Sequence, residues 1–293
     1  MNAGTEMAIA AHEAAGRRFE AGGVRSFALD EGEGDAVVLV HGVPSSSFLY
    51  RKVAPLVAER GLRAVAFDFP GLGMAERPEG FDYTWSGLAG WMDAALGALG
   101  VERCHLVVHD IGGPIGFEWA ILHPDRVRSL TALNTFVNAG SFRRPWSMQP
   151  FAVRGLGEVW LRSLHRRAFA ELFYLQGVGE RSAVPRDEVL AYYELLKRGD
   201  GGRAFLKIMR GFELTAAKEA FFREGLGARR WPAQVLWGAD DPALGRGEMR
   251  AVCEALAVAP IELAAKHFLQ EDRASAIADA VGDLAQAAAR SPR

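Results

Sequence analysis

The sequence predicts an α/β protein in which helices flank a mostly parallel central sheet and a helical segment is inserted into the chain. Short apolar runs alternate with stretches of helical periodicity over residues 24–136, and strand-like runs resume at residue 233. Between these parts, residues 137–230 are helical in pattern, aromatic and rich in arginine. We therefore expect a core of residues 1–136 and 231–293, and a helical cap of residues 137–230.

The predicted strands are short runs of aliphatic and β-branched residues bounded by turn residues. In chain order they are Val24–Leu29, Ala36–Val40, Arg63–Phe69, a run beginning at Cys104, Val127–Phe136, Ala233–Trp237 and Pro260–Ala264. The predicted core helices have apolar residues at helical spacing. They are Phe48–Glu59, Thr84–Leu99, a segment beginning at Phe117, and Glu271–Arg290. Because strands and helices alternate, we expect helices on both faces of the sheet.

Length, charge and composition limit the classes of function. With 293 residues, of which 49% are hydrophobic, the chain is long enough to bury one α/β core. A formal net charge of −2 predicts no binding surface for nucleic acid or an anionic membrane. Cys104 and Cys253 fit small buried side chains better than a disulfide. The first 18 residues lack a signal-peptide pattern, so we expect a cytoplasmic protein, with no sequence signal for an oligomeric state.

The segment from Cys104 to Gly116 has the pattern of a nucleophile elbow, with Asp110 at its corner. A buried strand runs into the pair Gly112-Gly113, which permits a sharp turn, and helical periodicity follows. An aspartate at this corner is ionised at neutral pH and can attack an electrophilic sp3 carbon, giving an alkyl ester. The alternative is that Asp110 only caps the following helix.

Hydrolysis of such an ester needs a base and a group that orients it. His267 follows the last predicted strand, and Asp241 lies in the loop after the preceding strand. The order nucleophile, acid, histidine is that of α/β-hydrolases. Asp240 is the alternative acid, and a helix-capping role is the alternative for His267.

The oxyanion that forms during hydrolysis requires donors beside the nucleophile. We expect these donors to be the backbone amides of Ile111 and Val43. We expect His41 to brace the loop that contains Val43. We expect His109 to point away from Asp110, because adjacent strand residues face opposite sides. The remaining histidines are interpreted as structural or solvated, and they are His12, His105, His123 and His165.

Four segments resemble the haloalkane dehalogenases, and they are His41–Arg51, Asp68–Gly73, Val107–Gly113 and His267–Asp272. The resemblance covers the core and is weak across residues 137–230. It implies the α/β-hydrolase fold, a small apolar organic substrate, water as co-substrate, and neither a cofactor nor a metal. It also implies that Asp110 is the nucleophile, Asp241 the acid and His267 the base, with Asn134 at the alternative acid position.

Two departures from that family affect the leaving group. Ile111 stands where haloalkane dehalogenases usually have a tryptophan that binds the departing halide, and Val43 stands where Asn or Glu is common. Trp146 or Trp160 could replace the missing halide donor. Epoxide hydrolases of the same superfamily are the first alternative, and they use tyrosines of the cap as proton donors. The candidates for that role are Tyr174, Tyr192 and Tyr193.

Two further classes are less favoured. A haloacid dehalogenase needs a cation for the substrate carboxylate, which Ile111 does not provide, and we interpret the arginines of residues 142–146 and 164–168 as a solvated face. A ligand-binding homologue without turnover is the second alternative to dehalogenase activity. The complete set of Asp110, Asp241 and His267 argues against that class.

Overall fold

The computed structural model describes residues 1–290, and within them eight strands form one sheet. The strands are β1 (Gly16–Ala21), β2 (Val24–Glu31), β3 (Ala36–Val40), β4 (Arg63–Phe67), β5 (Cys104–Asp110), β6 (Val127–Thr135), β7 (Ala233–Gly238) and β8 (Pro260–Leu263). Their order in the sheet is β1-β2-β4-β3-β5-β6-β7-β8. Strands β3 to β8 run parallel, and β1 and β2 join antiparallel at one edge. The chain is thus a mostly parallel α/β structure.

The helices of the core lie before, between and after these strands. They are α1 (Ala3–Ala14), α2 (Val53–Ala58), α3 (Trp85–Ala98), α4 (Gly112–Leu122), α10 (Arg246–Leu256), α11 (Leu269–Asp272) and α12 (Ala274–Arg290). The helices between β6 and β7 are α5 (Leu156–Ser163), α6 (Arg166–Gln176), α7 (Arg186–Lys197), α8 (Arg203–Arg210) and α9 (Ala216–Gly227). We call residues 137–230, which contain this second group, the cap segment.

Several predicted element boundaries differ from the structure. The predicted helix Phe48–Glu59 is a 3-10 turn at Ser47–Tyr50 followed by α2, and the predicted helix Glu271–Arg290 is interrupted at Arg273. Helix α1 and strand β1 were not predicted. Strand β1 has a mixed burial pattern, with one fully buried residue at its end, so its sequence lacks the apolar run that marks the central strands.

The strand order places the reacting groups at one edge of the sheet. In the sheet, β4 lies on one side of β3 and β5 lies on the other. Because the connections after β3 and β5 lead in opposite directions, a crevice opens at the carboxyl ends of these two strands. Both strands are buried, since every residue of β3 and all but the last of β5 are shielded from solvent. Asp110, the last residue of β5, therefore stands on a rigid support beside that crevice.

None of the helices within residues 1–290 is long and apolar enough to cross a membrane.

Candidate active site

Asp110 occupies a strained backbone position at the junction of β5 and α4. Its φ is +53°, a left-handed conformation that is uncommon for residues with a side chain. The hydroxyl of Thr135 donates a hydrogen bond of 2.6 Å to the Asp110 carbonyl, which holds this corner from the neighbouring strand. A Cβ atom at Gly113 would collide with the Thr135 hydroxyl, so the turn requires glycine there. This is the backbone geometry of a nucleophile elbow.

The two carboxylate oxygens of Asp110 have different surroundings. The backbone N–H of Val43 donates to Oδ1 at 2.8 Å, and the Ile111 amide also hydrogen-bonds the carboxylate. A Cβ atom at Gly42 would collide with Oδ1, so glycine allows this loop to approach. Burial raises the pKa of Asp110, but hydrogen bonding and the charge of His267, together with the Ile111 amide, lower the pKa below its usual value. Asp110 is therefore an anion whose carboxylate is held by two backbone amides.

His267 links the two aspartates predicted from the sequence. Its Nδ1 donates to Oδ2 of Asp241 at 2.8 Å, and its Nε2 lies 3.5 Å from Oδ2 of Asp110. Burial lowers the pKa of His267, but the charge of Asp241 and hydrogen bonds to both carboxylates outweigh burial and raise the pKa to about 10. The imidazole is thus held between two anions and is protonated at neutral pH in this state.

Asp241, in the loop after β7, is fixed by four hydrogen bonds. Besides His267, it accepts from the Asn134 side chain at 2.5 Å and from the amides of Ala243 and Leu244 at 2.7 and 3.1 Å. Burial raises the pKa of Asp241, while the charge of His267 and these donors lower it below its usual value. Asp240, the alternative acid, is exposed.

Asn134 is the residue through which β6 contributes to this arrangement. Its Oδ1 accepts the backbone N–H of Gly238 at 2.7 Å, while its Nδ2 donates to Asp241. Its φ of +24° is a conformation that Asn tolerates better than most residues. Asn134 therefore orients the acid and ties the ends of β6 and β7 together.

His109 contacts the loop that carries His267, a contact that the sequence did not predict. Its Nε2 donates to the backbone carbonyl of His267 at 2.9 Å, and the two ring centroids lie 4.8 Å apart. Adjacent strand residues do face opposite sides, but His267 is on a loop that passes over the His109 side of β5. Burial and the charge of His267 lower the pKa of His109 to about 3, so this imidazole stays neutral.

His41 braces the loop that carries Val43. Its Nε2 accepts the Phe69 amide at 3.1 Å, and its Nδ1 donates to the Gly42 carbonyl at 2.9 Å. The ring is fully buried. This interaction joins the loops that follow β3 and β4, on one side of Asp110.

A largely apolar cavity leads from the cap segment to Asp110 and His267. Val43 and Ile111 form part of its floor, and residues of the cap segment form most of its walls, among them the aromatic residues Phe142, Phe151, Phe169 and Phe173. A space with this lining fits an apolar organic molecule. Within the described part of the chain, no three His, Cys, Asp or Glu side chains are grouped so that they could hold a metal ion.

One of the two candidate tryptophans lies at this cavity. Trp160 lines it, and its indole N–H donates to the Ser147 carbonyl at 3.3 Å. Trp146 is 60% exposed and does not line the cavity.

The three candidate tyrosines lie outside the cavity and are bonded elsewhere. The Tyr174 hydroxyl donates to the Val184 carbonyl at 2.8 Å, and the Tyr192 hydroxyl donates to Glu271. The Tyr193 hydroxyl accepts from Lys197 at 3.1 Å. The structure therefore does not bring these hydroxyls to the substrate space.

Two polar residues of the cavity wall were not predicted as site residues. Gln176 accepts the Ser147 hydroxyl at 2.8 Å through Oε1, and its NH2 group makes no hydrogen bond to residues 1–290. Arg144 lines the cavity, whereas its neighbour Arg143 is exposed, so the interpretation of both as a solvated face is wrong for Arg144. No local sequence signal separates the two arginines, because the difference depends on which way the loop turns.

Comparison with known proteins gives one family-model match and similarities over nearly the full chain. Residues 35–179 match the family model described as the alpha/beta hydrolase fold. Haloalkane dehalogenase 2 of Mycobacterium bovis is 30% identical over 283 residues, covering 90% of this chain and 93% of that protein. Haloalkane dehalogenase of Sphingobium indicum is 28% identical over 278 residues, with 88% and 91% of the two chains covered.

A solved structure has the same fold. The crystal structure of haloalkane dehalogenase DbeA from Bradyrhizobium elkani superposes with a TM-score of 0.78 at 23% identity, over 94% of this chain and 98% of that one.

Proposed function

The chain belongs to the α/β-hydrolase family and is haloalkane dehalogenase-like, and from this premise we propose that it hydrolyses a carbon–halogen bond through an ester on Asp110. The observation that carries the proposal is the connected series Asp241–His267–Asp110 at the floor of an apolar cavity. We further propose that residues 137–230 act as a cap domain, because their aromatic side chains wall that cavity.

The first step is displacement of the halide. Oδ1 of Asp110 is occupied by the Val43 amide, which leaves Oδ2 as the attacking atom. Oδ2 forms a bond to the substrate carbon, the carbon–halogen bond breaks, and the halide departs with the electron pair. The product is a neutral alkyl ester of Asp110.

The second step is hydrolysis of that ester. His267 removes a proton from a water molecule, and the oxygen attacks Cγ of Asp110. The negative charge that develops on Oδ1 is stabilised by the amides of Val43 and Ile111. The bond between Cγ and the ester oxygen breaks, the leaving alkoxide takes the proton from His267, and the alcohol leaves with Asp110 restored. One proton and one halide are released for each water consumed.

Formation of the ester also prepares the base for its task. Asp110 and Asp241 together raise the pKa of His267 in the free protein. Alkylation removes the charge of Asp110, so one of the two anions that favour the imidazolium is lost. The pKa of His267 then falls, and the proton leaves at the stage at which a neutral imidazole is needed.

A halide is favoured over an epoxide oxygen as the leaving group because it requires no proton. An opening epoxide produces an alkoxide, which needs an acid beside it. Each of the candidate tyrosines makes its hydrogen bond away from the cavity, as described above. We propose that the halide is held by the NH2 group of Gln176 in the cavity wall, in place of a donor at position 111, because the Trp160 N–H already donates to the Ser147 carbonyl.

The proposal is tested by trapping the ester. His267→Ala is incubated separately with 1-bromohexane and styrene oxide and examined by intact-protein mass spectrometry. We expect a mass gain equal to the hexyl group with the bromide and none with the epoxide. Asp110→Ala is the matched control and should gain no mass with either compound.

The other outcomes have equally definite meanings. A gain equal to the whole epoxide, with none from bromides, would identify an epoxide hydrolase and overturn the halide assignment. No adduct with a panel of both compound types, together with no halide release by the unsubstituted protein, would favour a ligand-binding homologue without turnover.

A further inference from the structure

Arg144 is a cation set into the apolar wall of the substrate cavity. It follows Phe142, whose ring stacks on Phe136 just beyond the end of β6. The guanidinium lies over the ring of Phe212, 4.5 Å from its centroid, and Nη2 donates to the Met209 carbonyl at 2.8 Å. Two fixed contacts thus hold a planar charged group at the cavity.

The charge of Arg144 has no counter-ion within the part of the chain that is described. Some other arginines of the cap segment do have one, since Arg210 pairs with Glu158 at 2.8 Å and Arg166 pairs with Glu194 at 2.6 Å. Burial lowers the pKa of Arg144, yet a guanidinium remains charged at any physiological pH. Its Nε is buried without an acceptor. A half-buried cation in this state is destabilising unless an anion compensates it.

The position of Arg144 makes a ligand the natural source of that anion. The charged groups that line the cavity are Asp110 and His267 on the floor and Arg144 on the side formed by the cap segment. Asp241 lies behind His267, so the floor carries two carboxylates and one imidazolium. An anionic group would be repelled by the floor and attracted to Arg144. The cavity therefore favours a molecule with its reacting carbon near Asp110 and an anionic end near Arg144.

We propose that Arg144 binds the carboxylate of the substrate, and that the substrate is a halogenated carboxylic acid whose apolar chain separates the carboxylate from the halogen-bearing carbon. The planar guanidinium matches a carboxylate better than an uncharged end group, and its Nη1 makes no hydrogen bond to residues 1–290. The apolar walls between the two ends accommodate the chain. The halogen in this statement rests on the proposed function, whereas binding of the carboxylate does not.

Binding is measured first, because it needs no turnover. Isothermal titration calorimetry compares sodium hexanoate with 1-hexanol on the unsubstituted protein, Arg144→Gln, Arg144→Lys and the control Arg143→Gln. We expect hexanoate to bind more tightly than hexanol, and Arg144→Gln to weaken hexanoate binding about 10- to 100-fold, the range of a charged hydrogen bond. Hexanol binding should be unchanged, Arg144→Lys should retain part of the affinity, and Arg143→Gln should behave as the unsubstituted protein.

Turnover then identifies the substrate class. We expect 6-bromohexanoate to have a higher kcat/KM than 1-bromohexane. In Arg144→Gln this preference should disappear, because the KM for 6-bromohexanoate rises. Equal binding of hexanoate and hexanol, or loss of hexanoate binding in Arg143→Gln as well, would overturn the role of Arg144. Tight, Arg144-dependent hexanoate binding without halide release would retain this role and contradict the proposed function instead.

Discussion

Nε2 of His267 lies 3.5 Å from Oδ2 of Asp110, while Oδ1 of the same carboxylate accepts the Val43 amide at 2.8 Å. One oxygen therefore faces the base, and the other faces the Val43 amide, which would stabilise an oxyanion. Under the proposed ester mechanism, the two oxygens would therefore act in different steps. This arrangement also leads to predictions that concern the acid, the protonation of His267, the floor of the cavity and the attachment of the cap segment.

Replacing Asp241 with asparagine should affect hydrolysis of the ester much more than its formation. The amide side chain in Asp241→Asn is neutral, so it would no longer favour the required tautomer and charge of His267. We expect kcat to fall roughly 10³- to 10⁴-fold, as for a comparable triad aspartate. Rapid-quench mass spectrometry should show accumulated ester. If ester formation slowed as much as ester hydrolysis, Asp241 would not act through His267 alone.

Asn134 should act through the orientation of Asp241. Asn134→Gly removes both side-chain hydrogen bonds but keeps a residue that tolerates a φ of +24°. We expect ester hydrolysis to slow by about tenfold, which corresponds to a rise of about 1.4 kcal/mol in its activation free energy. The rate of ester formation should not change. Single-turnover kinetics separate the two steps. Unaltered hydrolysis would mean that the amides of Ala243 and Leu244 suffice to position Asp241.

The charge of His267 should make a pH-dependent contribution to stability. Its pKa is raised to about 10 in the folded protein by Asp241 and Asp110, which overcome burial, whereas an unfolded histidine has a pKa of about 6.5. A raised pKa gives stability that is complete below the unfolded pKa and is lost as pH rises through the folded pKa. We therefore expect the stability of the unsubstituted protein relative to His267→Gln to decrease from about pH 7 to about pH 10.

Thermal unfolding of both proteins across this pH range provides the measurement. His165→Gln, which replaces an exposed histidine of the cap segment, is the control and should show the same pH dependence as the unsubstituted protein. A difference between the unsubstituted protein and His267→Gln that stays constant with pH would contradict the raised pKa.

A hydrogen-bond donor added at position 43 should accelerate displacement of a halide. Val43 lines the cavity, and its backbone N–H contacts Asp110 whatever its side chain. Val43→Asn adds a side-chain amide at this point. We expect the rate of ester formation from bromoalkanes to increase several-fold, because a neutral hydrogen bond to the departing halide would contribute roughly 1 kcal/mol. Val43→Leu is the apolar control. Stopped-flow measurement of the first turnover gives the rate, and an equal increase in Val43→Leu would refute the explanation.

A buried ion-pair cluster should hold the cap segment to the core. Glu271 accepts from Arg51 at 2.7 and 3.0 Å, pairs with Lys52 at 2.9 Å and accepts the hydroxyl of Tyr192 on α7. Removing Glu271 leaves Arg51 largely buried and without this partner, so Glu271→Ala should destabilise the protein by about 3–5 kcal/mol. Urea unfolding provides the measurement.

An exposed ion pair supplies the control for this cluster. Glu262→Ala breaks the pair with Arg246, and it should change stability by less than about 1 kcal/mol. Similar losses in Glu262→Ala and Glu271→Ala would show that burial of the cluster adds nothing.

The same cluster predicts a loss of stability in acid. Burial raises the pKa of Glu271, but Arg51 and Lys52 lower it below its usual value. A lowered pKa gives stability that is present above the unfolded pKa and is lost as pH falls through the folded one. Glu271→Gln should therefore flatten the decline of stability below about pH 4 that the unsubstituted protein shows.

The sequence by itself determined the α/β class, the order of the strands along the chain and the positions of Asp110, Asp241 and His267 at or after strand ends. These inferences depend on local patterns, because a buried parallel strand must be apolar and a sharp turn after it requires glycine. The resemblance to haloalkane dehalogenases followed from the same local motifs, and the comparisons bear out that likeness.

Only the tertiary structure decided which side chains meet in the cavity. His109 contacts the His267 carbonyl because a loop distant in sequence crosses β5, and Tyr192 turns from the cavity because Glu271 accepts its hydroxyl. Arg144 and Arg143 are equivalent in sequence, yet the loop after β6 directs one to the cavity wall and the other to solvent. Such contacts depend on packing between segments that are distant in sequence, so local sequence patterns cannot predict them.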